Sequence, residues 1–297
     1  MARPAKAVIL VNKGGGSAGD NAGEKVAAAL TAAGIVGEVE VLDGGDLVDR
    51  ATAAVRDGAS LIIAAGGDGT QSAVAGAVAG SDSVMGILPL GTLNHLARDL
   101  GISFDLDEAA KVIAAGKVQA IDVAELNGRV FVNNSAIGLY PLMVEDREAQ
   151  QEHLGRSKKF AMIVAGLRTL VRFHHYRLSL TVNEAEKATV LTPLLFVGNN
   201  DYRLEMPDAG SRDRLDDGRL SVILLRKQGR LAFFRSLIRT AFGRSRSSDL
   251  IVLDDVTSLR VTSRRSWLTV ALDGETLEQP AELDYRIRPG ALKVMVP

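Results

Sequence analysis

The segment of residues 60–79 combines three patterns that together constrain the fold. Residues 60–65 form a continuous apolar run, which is typical of a strand buried on both faces in a parallel sheet. Residues 71–79 are rich in alanine and predict a helix. Between the two lie Gly66, Gly67 and Gly69. Because glycine allows backbone N–H groups to approach an anion and a helix N-terminus favours negative charge, the segment predicts a phosphate-binding loop.

Asp68 lies inside this loop, where its carboxylate would repel a phosphate. Two roles are compatible with the loop: Asp68 holds a magnesium ion, or it accepts N–H hydrogen bonds that orient the loop. The alternative is a plain strand-to-helix turn in which Asp68 or Thr70 caps the helix. Glycines on both sides of one aspartate exceed what a turn needs, so we favour the first two roles.

Strand, loop and helix alternate in the same way through the first hundred residues. Strands are predicted at 7–11, 38–42 and 84–88, and helices at 23–33, 47–56 and 95–100. This alternation predicts an α/β lobe with a doubly wound, mostly parallel sheet, in which ligands bind beyond the carboxyl ends of the strands. A further loop, Pro89–Asn94, follows the strand at 84–88 and offers Thr92 and Asn94 as polar groups. Arg98 follows one turn later, and by itself it could equally be a surface charge.

The pattern changes after about residue 177. Short β-rich runs separated by turn residues occur at 178–182, 188–196, 220–225, 258–262 and 267–272. They predict a second, antiparallel lobe packed as a β sandwich.

Composition excludes several classes of function. The 297 residues are 46% hydrophobic, which is enough for two lobes, and 35 basic against 36 acidic residues leave no basic field for nucleic acid. The absence of cysteine excludes disulfides and thiolate chemistry. The histidines show no metal-ligand spacing apart from the adjacent pair at 174 and 175, which we interpret as a solvated segment. Without a visible signal peptide or an apolar run near 20 residues, we expect a soluble, cytoplasmic protein.

Two motifs carry a family resemblance. Residues 66–70 (Gly-Gly-Asp-Gly-Thr) and, some 20 residues later, 88–98 (Leu-Pro-Leu-Gly-Thr-Leu-Asn-His-Leu-Ala-Arg) resemble the diacylglycerol kinase catalytic domain, a lipid kinase family that includes sphingosine and ceramide kinases. NAD kinases and phosphofructokinases share the first motif, whereas the second resembles the lipid kinase branch. The similarity continues through residues 120–138, 154–178, 196–199, 215–220, 272–275 and 289–297.

This resemblance implies a domain organisation. Residues 1–125 would form the ATP-binding catalytic domain, to which residues 284–297 return, and residues 126–283 the β-rich acceptor-binding domain. A nucleotide cleft would lie between them. ATP and Mg²⁺ are the implied cofactors and a lipid the implied substrate. A peripheral contact with the inner face of the membrane and a homodimer remain open.

The resemblance also implies roles for individual residues. The expected nucleotide-binding residues are Asn12, Gly66, Gly67, Asp68, Gly69, Thr70, Gly91, Thr92 and Asn94. Glu275 fits the family's proton acceptor and Asp273 its close partner, although the sequence cannot separate the two, and Arg98 and Asp122 resemble a pair that orders the cleft. A structural magnesium would be held by the carboxylate of Asp217 and the backbone carbonyls of Arg214 and Arg219. The alternative there is a solvated turn.

These features predict an ATP-dependent lipid kinase that acts on diacylglycerol or a related glycerolipid. The alternatives are a kinase of a sphingoid lipid, a kinase of an NAD-like soluble acceptor, and a nucleotide-binding regulator without turnover. The segment 231–242 places apolar residues along one helical face, with Arg235 and Arg239 on another. It would either lie on an anionic membrane or pack on the second lobe, and we favour packing.

Overall fold

The computed structural model describes residues 7–14, 21–138, 174–185, 187–203, 210–226 and 250–297. Within these ranges, none of the helices has the length and apolar character needed to cross a bilayer. The predicted segments at 157–173 and 231–242 lie outside the described residues.

The first lobe alternates strands and helices. Their bounds are β1 Ala7–Asn12, α1 Ala22–Ala32, β2 Gly37–Leu42, a 3-10 turn Gly44–Asp46, α2 Leu47–Arg56, β3 Leu61–Gly66, α3 Asp68–Val78, β4 Val84–Pro89, α4 His95–Asp99 and α5 Leu106–Ala115. The strands are parallel in the order β2-β1-β3-β4. Helix α1 packs against α5 and α2 against α3, so two groups of helices cover the sheet. The predicted doubly wound α/β lobe is confirmed.

The second lobe is antiparallel. Its strands are β5 Val118–Leu126, β6 Arg129–Phe131, β7 Asn134–Gly138, β8 Tyr176–Val182, β9 Lys187–Thr192, β10 Leu194–Asn199, β11 Leu220–Leu225, β12 Leu250–Val256, β13 Ser258–Leu272 and β14 Glu275–Met295. They follow the order β12-β11-β10-β7-β13-β14, with β8 and β9 added to β13, and β5 and β6 added to β14. Their inward side chains form a second apolar core, which includes the fully buried Phe131 and Tyr285 in edge-to-face contact. The predicted β sandwich is confirmed.

Strand β14 joins the two lobes. Its first half pairs with β13 as far as Arg286, and its last residues pair with β5 and, at Val294, with Met85 of β4. Leu292 and Val294 belong to the core of the first lobe. One continuous sheet therefore runs through both lobes and fixes their relative position.

Two strand predictions are corrected by the structure. The run at 188–196 is two strands, β9 and β10, because Pro193 between them has no N–H to donate to a ladder. The runs at 258–262 and 267–272 are one strand, β13, whose pairing with β14 is interrupted by a bulge between Thr262 and Trp267.

Candidate active site

A cleft of about 870 Å³ brings together residues from three loops that are distant in sequence. The predicted site residues that line it are Asn12, Gly67, Gly69, Thr70, Gly91, Thr92, Asp273 and Glu275. The glycine loops lie beyond the carboxyl ends of β3 and β4, where α/β sheets bind ligands. The Asp273–Glu275 turn joins β13 to β14 across from them.

The two glycine loops pack against each other through their backbones. A Cβ atom on Gly91 would lie 2.5 Å from the Cα atom of Gly67 and 2.8 Å from Oδ1 of Asn94, so no side chain can be added there without a backbone shift. The N–H of Leu90 donates to the carbonyl of Gly66 at 3.0 Å and joins the loops further. Glycine is therefore required at position 91 because the backbones of the two loops are in direct contact there.

Gly69 has a different environment. It is exposed in the first turn of α3, and a Cβ atom built on it would meet no heavy atom within 4 Å. The open space above it lies at the N-terminus of an 11-residue helix, whose dipole and free N–H groups favour an anion. The site therefore fits the phosphate groups of a nucleotide.

Asp68 is the first residue of α3, and Gly67 occupies the cap position without a side-chain cap bond. The carboxylate of Asp68 instead accepts the backbone N–H of Asn94 at 3.0 Å and that of His95 at 2.6 Å. The interpretation as a helix cap is therefore wrong, and the carboxylate orients the second glycine loop. A role in binding magnesium stays a prediction.

Asn94 and Asn12 hold the loops through hydrogen bonds of their side chains. Asn94 is fully buried with a left-handed backbone (φ 47°), and its side-chain amide bonds to both the N–H and the carbonyl of Gly91, at 3.1 and 2.8 Å. Asn12 donates to Oγ1 of Thr70 at 3.0 Å and accepts the N–H of Gly14 at 3.1 Å. These contacts hold the three loop backbones in one arrangement.

The carboxylate of Asp273 is occupied by hydrogen bonds. It accepts from the Ser72 hydroxyl of α3 and from the backbone N–H groups of Val132, Asn133 and Asn134, at 2.8, 2.8 and 3.0 Å. Burial raises the pKa of the Asp273 carboxyl above its ordinary value, and these four hydrogen bonds oppose the rise. Asp273 thus connects α3 of the first lobe to the second lobe.

Glu275 is two residues further along and has a more open environment. Its side chain is 59% exposed in the cleft, and Nη2 of Arg129 donates to its Oε2 at 2.8 Å. Within the described part of the chain, Oε1 of Glu275 receives no hydrogen bond, whereas each carboxylate oxygen of Asp273 accepts two. A proton acceptor needs an oxygen of the first kind. This geometry favours Glu275 as the base, an assignment that stays a prediction.

Arg98 and Asp122 were expected to act as a pair, but among the described residues no hydrogen bond or ion pair joins their side chains directly. Arg98 forms an ion pair with Asp99 at 3.4 Å and contacts Nδ1 of His95 at 3.1 Å. The buried Asp122 accepts the N–H groups of residues 218 and 290, at 2.7 and 2.8 Å. Asp122 therefore joins the 215–218 loop to β14, and neither residue lines the cleft.

The predicted metal-binding loop places Asp217 close to Arg214, with 3.5 Å between Oδ1 and Nε. Asp217 donates its N–H to Oδ1 of Asn200, and the carbonyl of Arg219 accepts the N–H of Asn200. A carboxylate with backbone carbonyls is an oxygen-only donor set that suits magnesium, although in this structure Nε of the 65% exposed Arg214 side chain also pairs with Asp216 at 2.9 Å. Among the described residues, no group of three or more His, Cys, Asp or Glu could hold a metal. A cation here would thus have fewer than three carboxylate ligands from the described residues.

Sequence reasoning missed two features. The buried ion pair between Asp99 and Arg212 (2.8 Å) joins α4 to the second lobe, and it left no local signal in the sequence. Arg129 enters the cleft at the start of β6. Its hairpin could have been predicted from the Asn127-Gly128 dipeptide, which is typical of a two-residue β-turn.

These features define a class: a two-lobed protein with a cleft between an α/β lobe and a β sandwich, whose glycine loops suit phosphate groups. Residues 6–126 match the family model of the diacylglycerol kinase catalytic domain. Residues 143–296 match that of the YegS C-terminal NAD kinase beta sandwich-like domain. The chain therefore belongs to the diacylglycerol kinase catalytic-domain family of lipid kinases, with the YegS-type C-terminal domain.

Comparisons with individual relatives and solved structures are consistent with this family assignment. A diacylglycerol kinase from Staphylococcus saprophyticus is 29% identical over 189 residues, which are 62% of this chain and 60% of that protein. The crystal structure of a diacylglycerol kinase from Bacillus anthracis has a TM-score of 0.71 at 20% identity and covers 100% of this chain and 98% of that one. An NAD kinase from Archaeoglobus fulgidus in complex with ATP has a TM-score of 0.53 at 13% identity and covers 97% and 93%. At these identities the two structures show the shared fold alone.

Proposed function

We propose that this protein is an ATP-dependent lipid kinase that transfers the γ-phosphoryl group to a lipid hydroxyl, with diacylglycerol or a related glycerolipid as acceptor. The observation that supports the proposal is that the glycine loops and the Asp273–Glu275 turn line the same cleft. A site for phosphates facing a carboxylate contains the two elements that phosphoryl transfer to an alcohol requires.

The glycine loops and the Asp273–Glu275 turn have different tasks in the proposed reaction. The loops at Gly67 and Gly91 and the N-terminus of α3 bind and orient the phosphates. The Glu275 carboxylate accepts the hydroxyl proton while the acceptor oxygen bonds to the γ-phosphorus. The bond from that phosphorus to the bridging oxygen breaks, and ADP leaves with the electron pair. Asp273 holds the turn that carries Glu275.

Magnesium belongs to this proposal as a partner of the nucleotide and as a structural ion at Asp217. When bound, it supplies positive charge that neutralises the phosphate oxygens. The Asp68 carboxylate, fixed by two backbone N–H groups, stands behind the loop that would carry the phosphates.

The acceptor is proposed from the family. The Staphylococcus saprophyticus relative is a diacylglycerol kinase, and the Archaeoglobus fulgidus NAD kinase of similar fold was solved in complex with ATP. A lipid acceptor implies that the protein reaches a membrane surface, and this contact is part of the proposal.

In the test, purified protein is incubated with radiolabelled ATP and Mg²⁺. Parallel reactions contain micellar diacylglycerol, micellar sphingosine, NAD or no acceptor. We expect labelled product with diacylglycerol. Label on NAD alone, or on no acceptor, would contradict the proposal. Glu275→Gln should lower the rate by roughly two to four orders of magnitude.

Arg260→Ala is the control for the test. Arg260 pairs with Asp284 at 2.6 Å, and its side chain is 52% exposed outside the cleft. We expect this variant to turn over at the parent rate.

A further inference from the structure

Arg129 holds an unusual position in the cleft. Among the described residues that line it, Arg129 is the sole basic side chain. Its Nη2 donates to Oε2 of Glu275 at 2.8 Å, and the two side chains are 53% and 59% exposed. An ion pair this exposed contributes little to stability, so its placement calls for a reason other than folding.

The backbone that carries Arg129 is tightly held. The hairpin between β5 and β6 turns at Asn127 and Gly128, with φ values of 49° and 82°. Asn127 fastens the turn to β14, because its Oδ1 accepts the N–H of Asp284 at 2.9 Å. Two residues beyond Arg129, Phe131 is fully buried in the core. The Cα of Arg129 therefore has a fixed place at the cleft wall.

The backbone that carries Glu275 is held by the same segment. Asp273 accepts N–H groups from Val132, Asn133 and Asn134, which directly follow β6. The chain from Arg129 to Asn134 thus anchors both partners of the ion pair. Their separation is set by a rigid unit rather than by two independent loops.

The guanidinium of Arg129 has more N–H donors than its contact with Glu275 uses. Within the described part of the chain, its one hydrogen bond goes to Glu275, and the planar fork leaves further N–H groups for a ligand. A phosphate is the ligand whose geometry matches this fork. Among the described lining residues, the other charged side chains are the carboxylates of Asp273 and Glu275, so Arg129 is the side chain with a charge opposite to that of ATP.

We propose that Arg129 binds the terminal phosphate of the nucleotide while it holds Glu275, so that one side chain places the base beside the phosphoryl group that is transferred. The proposal rests on the proposed function. It adds that Arg129 distinguishes a triphosphate from a diphosphate.

Calorimetric titration with ATP and with ADP, in the presence of Mg²⁺ and without acceptor, tests the proposal. Arg129→Ala should weaken ATP binding by about 10- to 100-fold, as expected for loss of a charge-assisted hydrogen bond. ADP affinity should change by less than about threefold, since ADP lacks the terminal phosphate. Arg129→Lys keeps the charge without the fork and should lie between parent and Arg129→Ala.

Arg260→Ala is the matched control, because Arg260 is equally exposed (52%) and equally ion-paired but lies outside the cleft. It should leave both affinities unchanged. Equal losses of ATP and ADP affinity in Arg129→Ala, or no loss of either, would overturn the role of Arg129. A parent protein that binds neither nucleotide would overturn the proposed function as well. If Arg129→Ala does not fold, Arg129→Gln is titrated in its place, with the same outcomes deciding.

Discussion

Gly69 and Gly91 line the same cleft, yet the structure assigns them opposite roles in stability. Gly91 packs against protein and Gly69 faces open space. The same substitution, glycine to alanine, should therefore weaken nucleotide binding at both positions while changing the melting temperature in opposite directions.

The cost at Gly91 follows from two distances. The new methyl group would lie 2.5 Å from the Cα atom of Gly67 and 2.8 Å from Oδ1 of Asn94, whereas ordinary contacts begin near 3.4 Å. The two loops must separate by about 1 Å, and overpacking of this kind costs about 1–3 kcal/mol. A displacement of about 1 Å in a positioned group can also lower activity by about 100-fold.

The gain at Gly69 follows from its place in a helix. Alanine in the first turn of α3 restricts the unfolded chain and meets no heavy atom within 4 Å, so it should stabilise by about 0.5–1 kcal/mol. For a chain of this size that is a rise of about 1–4 °C in melting temperature. The methyl group would occupy the space above the helix N-terminus, and ATP affinity should fall about tenfold or more.

Differential scanning fluorimetry and ATP titration of the two variants measure both effects. We expect Gly91→Ala to melt below the parent, Gly69→Ala to melt above it, and both to bind ATP more weakly. If Gly69→Ala bound ATP as tightly as the parent does, the open space would not be the phosphate site. A Gly91→Ala variant as stable as the parent would refute the packing argument.

Three further predictions concern carboxylates. Asp68→Ala should melt earlier and lose most kinase activity, because the N–H groups of Asn94 and His95 lose their acceptor; parent-like turnover would contradict this. Burial raises the pKa of Asp273 in the folded protein. The contribution of Asp273 to the free energy of unfolding is therefore fully present below its unfolded-state pKa of about 4, and it is lost as the pH rises through its folded-state pKa. The parent should therefore lose melting temperature relative to Asp273→Asn as pH rises above about 4, and parallel pH curves would refute the assignment. Asp217→Ala should abolish the rise in melting temperature that Mg²⁺ produces in the parent, whereas equal shifts would place the ion elsewhere.

Local patterns were sufficient to predict the elements of the first lobe. Helix α2 begins and ends where its pattern indicated, and the apolar runs at 7–11 and 84–88 are buried parallel strands. The reason is that burial on both faces and helical periodicity are recorded in consecutive residues. The glycine loops were predicted for the same reason, since each follows its own strand directly. In the second lobe, β13 was predicted as two strands because a bulge interrupts its pattern.

The functions of the site residues depended on contacts that no local pattern records. The donors to Asp273 come from residue 72 and residues 132–134, which lie about 140–200 positions away and are brought near by the shared sheet. Arg129 reaches Glu275 across 146 positions in the same way. The sequence by itself determined which residue types stand at the ends of the strands. The tertiary structure alone decided which of them carries the exposed carboxylate that is not saturated with hydrogen bonds, because saturation depends on donors from distant segments of the chain.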